Sequence, residues 1–296
     1  MSVIDPTWAT ERGFDPSRLA GALASPRRVH TGDRQGWLDL FAADAVLQDP
    51  IDAGRYEGTE GIGTFWDVFI APQRAIRLEV ARDFWAPGRL VRQATVLTTN
   101  SASSEPLRVP ALLRYDMRDG WIAALTTIWE PAPTIGWYLA QGPRGWGALA
   151  QHGFRMMRGA GLAKGVSFGR AMLGIGRRRG KRVVEALAKV DAPQWSAMLG
   201  GATISVGHAD AFQSYRGDAL GARDALRERA GDLARLRIEE VLTCGHHVGA
   251  FAVDPTSAGA LALMLRLRRG EVDALTAIWT STRSVLCEAV ATARAG

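Results

Sequence analysis

The chain has 296 residues, of which 47% are hydrophobic and 22% charged. That is enough for two modest cores and leans towards two domains. Its two cysteines, Cys244 and Cys287, make neither a disulfide framework nor a metal-ligand spacing, and no stretch of about 18 apolar residues exists to span a bilayer.

The first residues carry Asp5, with no basic leader and no apolar run, so no secretion signal is expected and the chain reads as reduced and cytoplasmic. Trp37, Leu40 and Phe41 stand at i, i+3, i+4 spacing, which predicts one face of a helix. A short strand is expected at 45–47, then a glycine-containing turn and a helix over 60–69. Alternating runs predict strands at 77–85, 90–98, 107–117 and 121–129, with Asp119-Gly120 as a hairpin signal. Helices before a run of strands predict an α+β fold, with helices packed on one face of a curved antiparallel sheet.

A second set of elements follows the same plan, with strands at 235–243, 247–253, 259–267 and 272–279. The chain repeats itself in order. Trp37 aligns with Trp195, Tyr56-Glu57-Gly58 with Tyr215-Arg216-Gly217, and the segment from Ala124 to Trp129 with that from Ala274 to Trp279. Three ordered anchors predict two copies of one domain, at 15–132 and 181–292, with a basic, glycine-rich helical connector at 133–180.

One set of residues resembles a known family. His30-Thr31-Gly32-Asp33, then Leu40-Phe41-Ala42-Ala43-Asp44-Ala45, Asp49-Pro50, Gly58, Ile62 and Phe65 are similar to the first half of ketosteroid isomerase, without a gap from Ser25 to Trp66. The resemblance implies two tandem NTF2-like cone domains, the broader group including SnoaL-like cyclases, epoxide-hydrolase-like enzymes and ligand-binding members. In that family a carboxylate takes a proton beside a ketone while a Tyr and a protonated Asp stabilise the enolate oxygen in an apolar cavity. The carboxylate matches Asp49, which the resemblance makes the general acid/base.

The oxyanion pair departs from the family. The Tyr falls on Ser25, followed by Pro26, and the Asp on Leu112, or on Leu113 if the hairpin is one residue shorter. Leucine donates no hydrogen bond, so Tyr115, Trp85 and Trp129 are the candidate donors. Phe65, Trp66 and Trp129 are expected to line the cone, with Arg92 a candidate to orient a ligand oxygen and His30 a weaker pocket candidate. The implied activity is proton transfer, an isomerisation, on a hydrophobic polycyclic, terpenoid or polyketide-like small molecule, without metal or organic cofactor. Epoxide opening or cyclisation is the alternative, with Asp52 and Asp67 as the nearest second acids. A non-catalytic lipid- or isoprenoid-binding protein is the other class.

The second copy places Gly207 or His208 at the Asp49 position and Val183 at the Ser25 position. Its expected role is structural, as an internal pseudo-dimer partner; a homodimer is the other arrangement. His246 and His247 stand beside Cys244, but neighbours on a strand point to opposite faces, so no metal site is expected.

Between Glu130 and Glu185 there is no Asp or Glu, whereas ten Lys or Arg residues fall there. Against a net charge of +6 this leaves −4 for the rest of the chain. Three readings of 131–182 stand: a helical linker packed on both domains, a segment drawn to anionic membrane, or a nucleic-acid contact through Arg177-Arg178-Arg179-Gly180-Lys181-Arg182. No recognised nucleic-acid fold accompanies it, and nucleic acid is not an expected partner.

Overall fold

The computed structural model describes residues 16–100, 105–172, 174–189, 191–209, 211–257, 259–269 and 271–280. The N-terminal stretch read above, Gly270 and Cys287 lie outside them.

Helix α1 (Ala20–His30) leads through Gly32, at φ +68°, to α2 (Arg34–Leu38). Asp33 caps α2 by accepting from the Gly36 amide at 2.9 Å. A Cβ on Gly36 would stand 2.3 Å from that carboxylate, so a larger residue there would push the cap aside. The predicted face is corrected here: α2 ends at Leu38, and Phe41 opens strand β1 (Phe41–Gln48). After β2 (Tyr56–Glu57), Gly58 turns the chain at φ +63° into α3 (Gly58–Phe65), which widens into a π-helical turn at Trp66–Ile70. Strands β3 (Ala75–Ala86), β4 (Arg89–Thr99), β5 (Leu107–Arg118) and β6 (Trp121–Ile128) complete the first sheet.

Three helices follow: α4 (Pro131–Ala140), α5 (Pro143–Ala160) and α6 (Leu162–Met172). The arginine cluster then opens α7 (Arg177–Lys189), which packs through Val184 and Leu187 into the second core. Asp191 caps α8 (Ala192–Leu199) through the Gln194 amide at 2.9 Å, repeating the Asp33 cap. Strands β7 (Thr203–His208) and β8 (Ala211–Arg216), helix α9 (Ala219–Ala230), and strands β9 (Arg237–Cys244), β10 (His247–Val253), β11 (Ala260–Arg268) and β12 (Glu271–Thr280) close the second unit.

The two sheets have the same order, β2-β1-β6-β5-β4-β3 and β8-β7-β12-β11-β10-β9. In each, the first strand runs parallel to the last and the remaining pairs are antiparallel. The protein is an α+β tandem of two NTF2-like cones.

Each sheet curls around its own core. A third core lies between the sheets, where Phe84, Leu112 and Ile128 meet Phe251, Ala262 and Ile278. Phe84 and Phe251 stack with ring centroids 5.6 Å apart. Gly249 permits this approach, since a Cβ there would meet Leu112 at 3.0 Å. The two copies therefore pair through their sheets.

Candidate active site

The first cone encloses a cavity of about 390 Å³, within the range that holds a small organic ligand. Its walls follow the period of the strands. On β5, Leu107, Val109, Ala111, Leu113 and Tyr115 face inwards, and on β6 Leu125 and Thr127 do so, with Trp129 following. Phe65, Phe69 and Ile70 close one side from the α3 turn.

Asp49 lies just past β1, at a cis peptide bond to Pro50. Its Oδ1 accepts from Thr127 Oγ1 at 2.5 Å and from Trp129 Nε1 at 2.6 Å. Oδ2 has no partner among the described residues and remains for the cavity. Burial pushes the Asp49 carboxyl above its ordinary 3.8, while the two hydrogen bonds pull against that rise. The carboxylate is thus fixed by one oxygen and poorly solvated at the other.

The second cone supports this turn from behind. Cys244 Sγ donates to the Ile51 carbonyl at 3.2 Å, and His247 Nε2 stands 3.4 Å from Asp52. Burial, then the charges of Asp52, Asp49 and Glu130, push the Cys244 thiol up to about 12, so it stays protonated.

Tyr115 is the most telling polar group on the cavity wall. Its side chain is buried, and its hydroxyl makes no hydrogen bond of normal geometry among the described residues. Ser25 and Arg92 lie close enough to hold its pKa down, yet burial dominates and raises it. Ser25 accepts from Trp37 Nε1 at 3.0 Å. Arg92 is fully buried, paired to Asp83 at 2.7 and 2.8 Å, and donates to the Ala22 carbonyl at 3.2 Å. Its guanidinium carbon is 5.7 Å from the centre of the Tyr115 ring. Arg92 therefore sits behind Tyr115, with three of its five N–H groups spent on Asp83 and Ala22, and it does not line the cavity as the sequence suggested.

Ser25, Asp49, Phe65, Tyr115 and Trp129 share the cavity. Three other sequence candidates do not line it. Leu112 has the opposite strand parity from Leu113 and faces the second sheet. Trp66 turns towards Trp37, with ring centroids 5.2 Å apart. Trp85 pairs with Leu90, two residues beyond Arg92 along β4, in the packed core. Trp129 spends its donor on Asp49, so of the three candidate donors only Tyr115 has a hydroxyl left for a ligand. His30 is exposed, its Nδ1 lying 3.4 Å from the Ile76 carbonyl. Asp67 pairs with Arg34 at 2.8 Å, and neither it nor Asp52 lines the cavity.

Sequence reasoning expected a helical connector after β6 but missed that its helices line the cavity. Tyr138 on α4, Leu149, His152 and Met156 on α5, and Phe168 on α6 close the mouth of the cone. The 149, 152, 156 spacing is helical and was legible, but nothing local said which face met a cavity. Burial, then Arg155, lowers the pKa of His152, which favours neutral imidazole. Gln73 donates to the Phe69 carbonyl at 3.2 Å while its Oε1 is buried without a partner. No group of three His, Cys, Asp or Glu gathers for a metal among the described residues.

Comparison with known proteins places the first cone. Residues 23–125 match the model of the SnoaL-like domain family. No curated relative matches the chain. Among solved structures, a Delta 5-3-ketosteroid isomerase from Mycobacterium sp. is 28% identical over 39% of this chain and 95% of its own, with a TM-score of 0.36. A Mycobacterium tuberculosis protein in complex with estradiol-17beta-hemisuccinate is 26% identical over 38% and 94%, with a TM-score of 0.36. A putative SnoaL-like polyketide cyclase from Shewanella putrefaciens is 10% identical over 39% and 90%, at 0.35. The match to the SnoaL-like domain runs from α1 into β6, and so includes Asp49 and Tyr115.

In the second cone the strand register corrects the alignment of Asp49. Leu47 lies opposite Leu125 as Ile204 lies opposite Leu275, so the residue in the Asp49 position is Val206, rather than Gly207 or His208. The same register sets Ala277 against Thr127 and Leu265 against Tyr115.

Proposed function

We propose that the SnoaL-like cone catalyses proton transfer on a hydrophobic carbonyl compound, with Asp49 as general base and Tyr115 as donor to the carbonyl oxygen. Asp49 Oδ2 takes a proton from the carbon beside the carbonyl. The electron pair moves onto oxygen as an enolate, which accepts a hydrogen bond from the Tyr115 hydroxyl. Returning a proton from Asp49 to another carbon of the conjugated system completes an isomerisation, with no net change in atoms or electrons, and exchange of that proton with solvent before its return carries label into the ligand. The observation that carries this reading is the pairing of one free carboxylate oxygen with one unpartnered buried hydroxyl in a single apolar cavity. Tyr115, backed by Arg92, takes the place of the family's Tyr and Asp pair.

The substrate class follows from the walls. They are aliphatic and aromatic, so the ligand is a hydrophobic polycyclic, terpenoid or polyketide-like molecule. The unpartnered Gln73 Oε1 fits a second, donor oxygen on it, such as a hydroxyl. Epoxide opening is disfavoured, because neither Asp52 nor Asp67 lines the cavity and His152 favours its neutral form.

A steroid enone in deuterated water provides the test, read as deuterium incorporation beside the carbonyl. The parent protein is expected to incorporate label. Asp49→Asn should stop incorporation while ligand-induced thermal stabilisation persists. Incorporation by Asp49→Asn at the parent rate would refute the reading.

A further inference from the structure

We propose that helices α4, α5 and α6 form a docking face for an anionic phospholipid surface, holding the mouth of the first cone against the bilayer. Among the described residues, Leu139, Trp146, Phe154, Met157 and Val166 are five of the seven large hydrophobic side chains that remain exposed, at 51, 57, 58, 49 and 51%. All five belong to these helices, which sets this face apart from the rest of the molecule.

Helix α5 divides into three sectors at 3.6 residues per turn. Leu149, His152 and Met156 face the cavity. Trp146, Ala150, Phe154 and Met157 share an adjacent outward strip, within about a quarter of the circumference. Arg144, Arg155 and Arg158 lie beyond that strip and have no ion-pair partner among the described residues. The whole segment between Glu130 and Glu185 lacks acidic residues.

An aromatic strip flanked by arginines matches the boundary between acyl chains and anionic headgroups, which receives both at once. A nucleic acid would leave Trp146 and Phe154 in water. No helix among the described residues is long and apolar enough to cross a membrane, so the contact is peripheral. The arrangement also sets the face beside the cavity lining on one helix. Entry of a ligand from the bilayer rests on the hydrophobic-substrate reading above, whereas docking itself does not.

Flotation of the full chain with vesicles tests the proposal. Phosphatidylcholine vesicles are compared with vesicles containing one quarter phosphatidylglycerol. Binding to the anionic vesicles is expected to be at least roughly tenfold stronger and to fall at high salt. The triple change Trp146→Ser, Phe154→Ser, Met157→Ser and the triple change Arg144→Gln, Arg155→Gln, Arg158→Gln should each abolish that preference, with unchanged circular dichroism. Asp49→Asn should float like the parent, which separates docking from the catalytic reading. The proposal fails if the parent ignores anionic vesicles, if it binds neutral ones equally, or if both triple variants float unchanged. It also fails if the parent prefers a short nucleic-acid duplex, or forms a dimer that the Trp146 triple variant dissolves, since either assigns the face to another partner.

Discussion

In the first cone Asp49, Thr127, Tyr115, Arg92 and Asp83 occupy positions that hold Val206, Ala277, Leu265, Ala250 and Val241 in the second. The strand paths are the same, yet the first interior holds about 390 Å³ and the second about 20 Å³. Val184 and Leu187 of α7 press into the second core with Trp195, Leu226 and Leu263. In the first, the corresponding helix offers Ser25 and Val29 to a space that α4, α5 and α6 cover from outside. A sheet of this topology does not by itself make a pocket. Polar groups stand inside the open cone, and apolar side chains fill the one that lacks them.

Changes that convert one cone towards the other test that contrast. Asp49→Asn should have the largest effect, a fall of roughly 100- to 10,000-fold in proton-transfer rate with ligand affinity kept, measured by label incorporation and thermal shift. Arg92→Ala should cost about 3–5 kcal/mol in denaturant unfolding, because it strands the Asp83 carboxylate in the core. Asp83→Val with Arg92→Ala copies the second cone, and should be more stable than either single change. If the double variant is the least stable of the three, the equivalence of the two interiors is wrong.

Tyr115→Phe should lower the rate by roughly 100- to 1000-fold. Its unfolding free energy should change little, since the buried hydroxyl makes no hydrogen bond of normal geometry among the described residues. A large loss of stability would mean that Tyr115 serves the core rather than a ligand. Thr127→Ala, copying Ala277, should have the smallest effect. It removes a hydrogen bond that lowers the Asp49 pKa, so the rising limb of the pH–rate profile should move to higher pH.

The same carboxyl sets a pH dependence of stability. Its folded pKa lies above the unfolded 3.8, so the folded state holds the proton more tightly. Its contribution is present below 3.8 and is lost as pH rises through the folded pKa. Asp49→Asn should flatten that part of the thermal midpoint profile.

Much of this was legible in the chain. The alternation along β3 to β6, the Asp119-Gly120 hairpin and the three repeat anchors express periodicity and turn chemistry, which are local. Asp49 was legible through its Asp-Pro turn and family spacing. Trp66 and Trp85 were misplaced because both are buried, and burial alone does not separate a cavity wall from a packed core. Leu112 was one residue from the lining position, and a single step on a strand reverses the face.

By itself the sequence determined the tandem cones, the Asp49-Pro50 turn and the basic, acid-free segment between them. It did so because helical and strand periods, caps and glycine turns are set by near neighbours. Tertiary structure alone decided which cone is hollow, that Tyr115 shares the cavity of Asp49, and that the connector helices close the mouth. Those outcomes depend on which side chains, distant along the chain, meet across the core and how completely they fill it.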